Sequence, residues 1–185
     1  MRLLLPLLVQ SGARLITNMG AANPLSAAKK IVEIARELGL KIRVAAVCGD
    51  DVLDKIDPEA RALETNEALH RSGEIISANA YLGADALLPA LQTGADVIVT
   101  GRVADPSLFV APMADAFGWD MNDADLIGQA TVIGHLMECA GQITGGYFAD
   151  PVKKPVPGLA QLGHPFVDVN PKGEATVGKV PGTGG

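Results

Sequence analysis

Apolar and polar positions follow two periods along this chain. Residues 14–18 read as a strand. Residues 43–48, apolar at nearly every position, read as a second strand buried on both faces. Between them Leu25, Ala28, Ile31, Val32, Ala35 and Leu38 recur at three- and four-residue spacing, the apolar face of a helix, with Lys29, Glu33, Arg36 and Glu37 on much of the remainder. Asn23-Pro24 supplies its N-cap and a first-turn proline, and Gly39 its stop. Residues 57–70 open on Asp57-Pro58 and read as a polar helix, and residues 74–78 as a third strand. Residues 85–93 read as a short or bent helix around Pro89, and residues 96–100 as the fourth and clearest strand. Two helices follow. The first covers residues 106–117 and is kinked at Pro112. The second is capped by Asn122 or Asp123 and runs to residue 140, with Leu126, Ile127, Ala130, Ile133, Leu136, Met137 and Ala140 inward.

Strand and helix in alternation mean βαβ units, and hence an α/β fold: a three-layer sandwich around a mainly parallel sheet. Parallel strands end on one edge, so Asn18, Gly49-Asp50-Asp51, Asn79 and Gly101-Arg102 are expected along one rim. After Tyr147 the character changes. Prolines at 151, 155, 157, 165, 171 and 181 make an irregular C-terminal arm, with one hairpin of residues 166–169 and 175–180 around Asn170-Pro171-Lys172-Gly173. The division expected is an α/β domain over 1–149 and a Pro/Gly-rich arm over 150–185. The chain has no internal repeat.

The 185 residues suit one domain, or one and a fraction; at 48% hydrophobic but 4% aromatic, the core must be built of Ala, Val, Ile and Leu. A net charge of −6 argues against nucleic acid or an acidic membrane surface as a partner. Cys48 and Cys139 fit no metal-binding spacing and read as reduced core residues of a cytoplasmic protein. No apolar run approaches the roughly 20 residues of a membrane span. Met1-Arg2-Leu3-Leu4-Leu5-Pro6-Leu7-Leu8-Val9 mimics a short signal peptide, but a helix packed on the sheet is the preferred reading.

Four constellations carry candidate chemistry. Val97-Ile98-Val99-Thr100-Gly101-Arg102 runs a strand into a cation suited to bidentate carboxylate or phosphate binding. Asp105-Pro106 then reads as a helix start, with Asp105 as cap and as a pairing partner for Arg102. Asn18-Met19-Gly20-Ala21-Ala22-Asn23-Pro24 joins a strand to a capped helix, a place that favours an anion or a plain small-residue turn. Asp50 and Asp51 offer two carboxylates for acid–base work, for positioning a hydroxyl or for a divalent cation; the plainer alternative is that Asp51 caps a short helix at residues 52–55. Asn79 and Tyr81 follow the third expected strand and add an amide and a phenol. His135 and Glu138 share a helix face, yet a metal reading lacks a third ligand, so no metal ligands are assigned and a surface or interface role is preferred. Glu138, with the glycine-rich stretch after it, is positioned to close over the rim. Neither the dinucleotide fingerprint, a P-loop nor a nucleophile elbow is present, which demotes a nucleotide-binding reading.

Ile16-Thr17-Asn18-Met19-Gly20-Ala21-Ala22-Asn23-Pro24, Gly49-Asp50-Asp51, Ser77-Ala78-Asn79-Ala80-Tyr81-Leu82-Gly83-Ala84, Val99-Thr100-Gly101-Arg102-Val103-Ala104-Asp105, Gly134-His135-Leu136-Met137-Glu138-Cys139 and Thr144-Gly145-Gly146-Tyr147-Phe148-Ala149-Asp150 together resemble the acyclic terpene utilisation family, the AtuA-like proteins. The blocks fall in the family's order over most of residues 14–185. The resemblance implies a soluble bacterial protein of citronellol- and geraniol-type catabolism, whose routes run through acyl-CoA thioesters. It also implies a lyase-like step on a 3-hydroxy-3-isohexenylglutaryl thioester. Family members carry further chain at both ends, so a fragment is implied. Such a fragment would be inactive alone or complete itself by association, and a homo-oligomer is expected.

The resulting expectation is an enzyme acting on a branched acyl-CoA by lyase or hydration chemistry, with CoA entering as part of the substrate. Arg102 holds a carboxylate or phosphate, and Asp50, Asp51 and Asp105 supply catalytic carboxylates. Asn18, Gly20, Asn23, Asn79, Tyr81, Gly101 and Glu138 contact substrate. The alternative is a non-catalytic subunit or binding module of a degradation complex.

Overall fold

The computed structural model describes residues 1–185 and divides into two compact units, Met1–Ala104 and Asp105–Gly185. The change of character after residue 149 falls inside the second unit.

The first unit holds α1 (Leu4–Ser11), β1 (Leu15–Thr17), α2 (Pro24–Glu37), β2 (Val44–Val47), α3 (Leu88–Gln92) and β3 (Val97–Thr100). Its sheet is wholly parallel in the order β1-β3-β2, with Thr17 opposite Val99 and Val47 opposite Thr100. Val97, Ile98, Val99 and Thr100 are all fully buried. Both faces of the central strand are therefore covered, as the continuous apolar run requires. Leu5, Ile31, Ala35, Val97 and Val99 form one core cluster, which seats α1 and α2 on one face of the sheet. The helix reading of the N-terminus is the one observed: α1 buries Leu5 and leaves Leu3, Leu4, Leu7 and Val9 outward.

The α2 helix starts as its residues dictate, because Asn23 Oδ1 accepts the Ser26 N–H at 2.9 Å ahead of Pro24. Its buried stripe is narrower than expected. Leu25 and Leu38 at its two ends are exposed, and the face consists of Ala27, Ala28, Ile31, Ile34 and Ala35. The expected helix around Pro89 is short and two-part, a 3₁₀ turn over Ala84–Leu87 leading into α3.

Two expected elements are absent. Residues 57–70 form turns and a bridge between Arg61 and Ala68, with a 3₁₀ turn over Leu69–Ser72, rather than a helix. The Asp57 carboxylate accepts the Glu59 N–H and its carbonyl the Ala60 N–H, a local turn, and Leu63 is almost fully exposed. A cap signal without an apolar face to pack leaves the helix unsupported. Residues 74–78 are not a strand either. Ile76 is 88% exposed, and pairing begins only at its end, where Val52 N–H to Ala78 O and Ala80 N–H to Asp50 O make an isolated bridge between Asp51 and Asn79 beyond β2.

The second unit packs α4 (Ser107–Phe117) against α5 (Ala124–Glu138), and α5 against the hairpin of β4 (Pro165–Val169) and β5 (Ala175–Lys179). Asp123, not Asn122, caps α5 by accepting the Leu126 N–H at 3.0 Å. Its buried face is Ala130, Ile133, Gly134 and Met137, while Leu136 is turned outward. Asp105 does not cap α4. Pro106 occupies the N-cap position with helical dihedrals, and its carbonyl accepts from Phe109 and Val110, so Asp105 sits one residue too far back. The hairpin turn is built as expected, with Asn170 Oδ1 accepting from Lys172 and Glu174. Both cysteines are free, but Cys48 is exposed rather than in the core. It follows the last residue of β2, where the chain has already left the sheet. No helix is long and apolar enough to cross a membrane.

Candidate functional site

The three parallel strands of the first unit end on one edge, and the chain leaving each end builds a cleft there. Beyond β2, Gly49 leads to Asp50, whose side chain is buried at 3% exposure. Its Oδ2 accepts the backbone N–H of Arg102 at 2.8 Å and Nδ2 of Asn79 at 2.9 Å. A single buried carboxylate thus ties the exit of β3 to residues 79–80. Charge-assisted bonds of this kind are strong, and removing the acceptor would orphan its donors.

Glycine at 101 follows from the same arrangement. A Cβ there would run into the Asp50 carboxylate, so the close approach requires hydrogen at that position. Gly20 plays the matching part beyond β1: a Cβ would collide with the Thr100 carbonyl and come within 2.9 Å of Pro24. These two glycines let the β1–α2 turn and the Asp50 side chain press against the end of the central strand.

Arg102 is held in place by its neighbour. Its Nη2 donates to the Tyr81 hydroxyl, and the guanidinium carbon lies 4.5 Å from the Tyr81 ring centroid. Leu82 N–H to Arg102 O and Ala104 N–H to Leu82 O clamp the two segments at the backbone. A guanidinium has five N–H donors. Tyr81 engages one and stacks on the plane, which orients the rest at little entropic cost.

The resulting cleft, about 470 Å³, is lined by Ala21 and Ala22 of the β1–α2 turn, by Asp51, Ser77, Asn79 and Arg102, and by the apolar side chains of Leu53 and Ile76. Asp51 is exposed, and its Oδ1 accepts the Leu53 N–H at 3.1 Å at the head of the 3₁₀ turn Leu53–Lys55. The cleft therefore carries one positive and one negative group, an amide and a partly apolar wall.

The strand-end arrangement brings together Asp50, Asp51, Asn79, Tyr81, Gly101 and Arg102. Asn18 and Gly20 lie in the turn that supplies Ala21 and Ala22, while the Asn23 side chain is occupied as the α2 cap. Asp105 and Glu138 belong to the second unit. There Asp105 is exposed, and Glu138 Oε1 accepts the Cys139 thiol at 2.7 Å. That hydrogen bond, partial burial and the nearby negative charges of Glu138 and Asp105 push the Cys139 thiol above its ordinary value. Leu53 and Ile76 escaped the sequence reading. Ile76 was assigned to a strand, and its apolar character gives no sign that it would face a cleft.

The family model described as "Acyclic terpene utilisation family protein AtuA" matches residues 1–185. The chain belongs to the acyclic terpene utilisation family AtuA. Neither the curated proteins nor the solved structures contain a match to it. All six blocks that carry the resemblance fall within the matched residues, and four of them, Ile16–Pro24, Gly49-Asp50-Asp51, Ser77–Ala84 and the end of β3, build the strand-end cleft of this AtuA-family chain.

Proposed function

We propose that this AtuA-family chain is an enzyme of acyclic terpenoid breakdown that takes a branched acyl-CoA thioester into the strand-end cleft and acts on it by lyase or hydration chemistry. One observation supports the reading: a guanidinium fixed over Tyr81 shares a cleft of ligand size with an open carboxylate, an amide and an apolar wall. In this reading Arg102 receives a substrate carboxylate or phosphate through the N–H groups that Tyr81 leaves free. Asp51, with Oδ2 open, moves the proton, and Asn79 orients a carbonyl or hydroxyl through its own free oxygen. Asp50 is a positioning residue, since its Oδ2 already holds Arg102 and Asn79. Leu53 and Ile76 receive the branched apolar chain.

The test is calorimetric titration of the chain with free CoA and with straight and branched acyl-CoAs, repeated with Arg102→Ala. Losing a charge-assisted contact should weaken binding by about 2–3 kcal/mol, a factor of roughly 30–150. The variant should stay folded, because Arg102 is only partly buried. Equal affinity of the two proteins, or no acyl-CoA binding by the wild type, would remove Arg102 and the cleft from the reaction.

A second reading, a non-catalytic subunit, draws on α1. Its outer face presents Leu3, Leu4, Leu7 and Val9, with Leu3 at 86% exposure, which suits a protein partner. Co-purification with a pathway enzyme, and turnover only in its company, would favour that reading.

A further inference from the structure

The last turn of α5 places three different donors side by side. His135, Glu138 and Cys139 stand at i, i+3 and i+4, and their ligand atoms all lie within 4.8 Å of one another. Helical geometry dictates the convergence, because residues three and four apart share a face. The same i, i+4 spacing serves helix-borne zinc sites, where two ligands one turn apart hold the ion from one side. Here the third donor comes from the residue between.

The donor set narrows the ligand. An imidazole nitrogen, a carboxylate oxygen and a thiolate sulfur suit a borderline divalent cation rather than magnesium or calcium, which prefer oxygen alone. Zinc binds at about 2.3 Å to sulfur and 2.0–2.2 Å to nitrogen and oxygen, so its ligands stand roughly 3.5 Å apart. Glu138 Oε1 and Cys139 Sγ stand 2.7 Å apart and no pair of the three donor atoms exceeds 4.8 Å, so the donor separations bracket that spacing. His135 is exposed, while Glu138 and Cys139 are half-buried. Asp105 adds a further negative charge at the thiol.

We infer that His135, Glu138 and Cys139 form a three-ligand site for a zinc-class divalent cation, with a coordination position open to solvent. On binding, the ion replaces the Cys139 thiol proton, which leaves to solvent, and forms bonds to sulfur, nitrogen and oxygen. No electron is transferred. Three protein ligands and an open position are the pattern of zinc sites that take an exchangeable fourth ligand. The site is independent of the reading of the strand-end cleft.

Cobalt titration of the metal-stripped full chain tests it. The expected result is one Co²⁺ per chain with a sulfur-to-cobalt charge-transfer band in the near ultraviolet, bleached by added Zn²⁺. Cys139→Ser should abolish the band, and Cys48→Ser should preserve it. His135→Ala, at an exposed position that folding does not need, should weaken Co²⁺ binding by at least about tenfold. Circular dichroism matching the wild type verifies the fold of each variant. A wild-type chain without the band, a band that follows Cys48 instead, or His135→Ala with unchanged affinity would overturn the site.

Discussion

Residues 84–104 bury Ala84, Leu87, Ala90, Leu91, Ala95, every residue of β3, and Val103, whereas residues 50–83 bury one residue, Asp50. The two segments meet through Asp50 and through the Leu82–Val103 bridge, yet they are held by different physics. The first is fixed by removal of apolar surface from water, which is non-directional and sums over many atoms. The second is fixed by a few directional bonds to a carboxylate and by turns. None of its large apolar side chains is fully buried, and Leu63 and Ile76 are almost wholly exposed. A segment of this kind sits at the low end of local stability, where binding residues are commonly drawn from. Five of the cleft's lining residues, Asp51, Leu53, Ile76, Ser77 and Asn79, come from it.

The comparison breaks most forcefully at β3. Ile98→Ala removes a fully buried side chain from the central strand and should destabilise the protein by about 2–5 kcal/mol. Urea unfolding should show the whole midpoint moving to lower denaturant. A midpoint within error of the wild type would mean that the apolar sheet does not carry the first unit.

Asp50→Ala strikes the other segment. It leaves the Arg102 N–H and the Asn79 amide without their acceptor, and should cost about 1–3 kcal/mol. The signature differs in kind: limited proteolysis should open cleavage within residues 50–83 before the sheet unfolds. Cleavage no faster than in the wild type would show that turns alone hold the segment.

That asymmetry also accounts for what could be read from residue types. The rim of Asp50, Gly101 and Arg102 was legible because strand ends follow from apolar runs, and parallel strands end together; Asn79 reaches it without the expected strand, through its amide bond to Asp50 and its bridge to Asp51. The helix at 57–70 and the strand at 74–78 were misread because Asp57-Pro58 and Ile75-Ile76 are local signals, whereas a helix or strand survives only with a surface to pack against or an edge to pair with. The division of labour between Asp50 and Asp51 was legible only in part: Asp51 does head the short turn at residues 53–55, but nothing in the residue types marks Asp50 as the buried one. Two adjacent carboxylates look alike until one is seen buried against Gly101 and the other on the cleft wall. Asp105 failed as a cap by a single residue, a shift that composition does not encode. Cys139 reads as a core residue rather than a donor, because the familiar metal-binding spacings set one cysteine from another.

Gly101→Ala sharpens the contrast at the junction itself. A methyl group there meets the Asp50 carboxylate, and overpacking of that sort costs about 1–3 kcal/mol. In an Asp50→Ala background the same substitution should cost much less, since the obstacle is gone. A double-mutant cycle by urea unfolding reads the difference, which for contacting residues is typically 0.5–3 kcal/mol. Strict additivity would separate Gly101 from Asp50 and leave the glycine without a steric reason.

The smallest effect concerns turns closed by carboxylates rather than by amides. In the second unit Asp120 accepts from the Asn122 backbone and side chain, and Asp150 from the Val152 and Lys153 N–H groups. Those hydrogen bonds hold both carboxyls below their ordinary value. A carboxyl lowered in the folded state contributes stability that is fully present above its unfolded value and is lost as pH falls through the folded one. The α2 cap makes the same kind of bond with the Asn23 amide, which does not ionise. Amide NMR over an acid titration should therefore shift Asn122, Val152 and Lys153 with midpoints below the ordinary carboxylate range, and leave Ser26 in place. Both groups are solvent-facing, so the change should stay local to each turn and leave α2 helical. Midpoints at or above the ordinary range would mean that these bonds do not favour the ionised form, and a co-titrating Ser26 would mean that the acid response is global unfolding and not the opening of two turns.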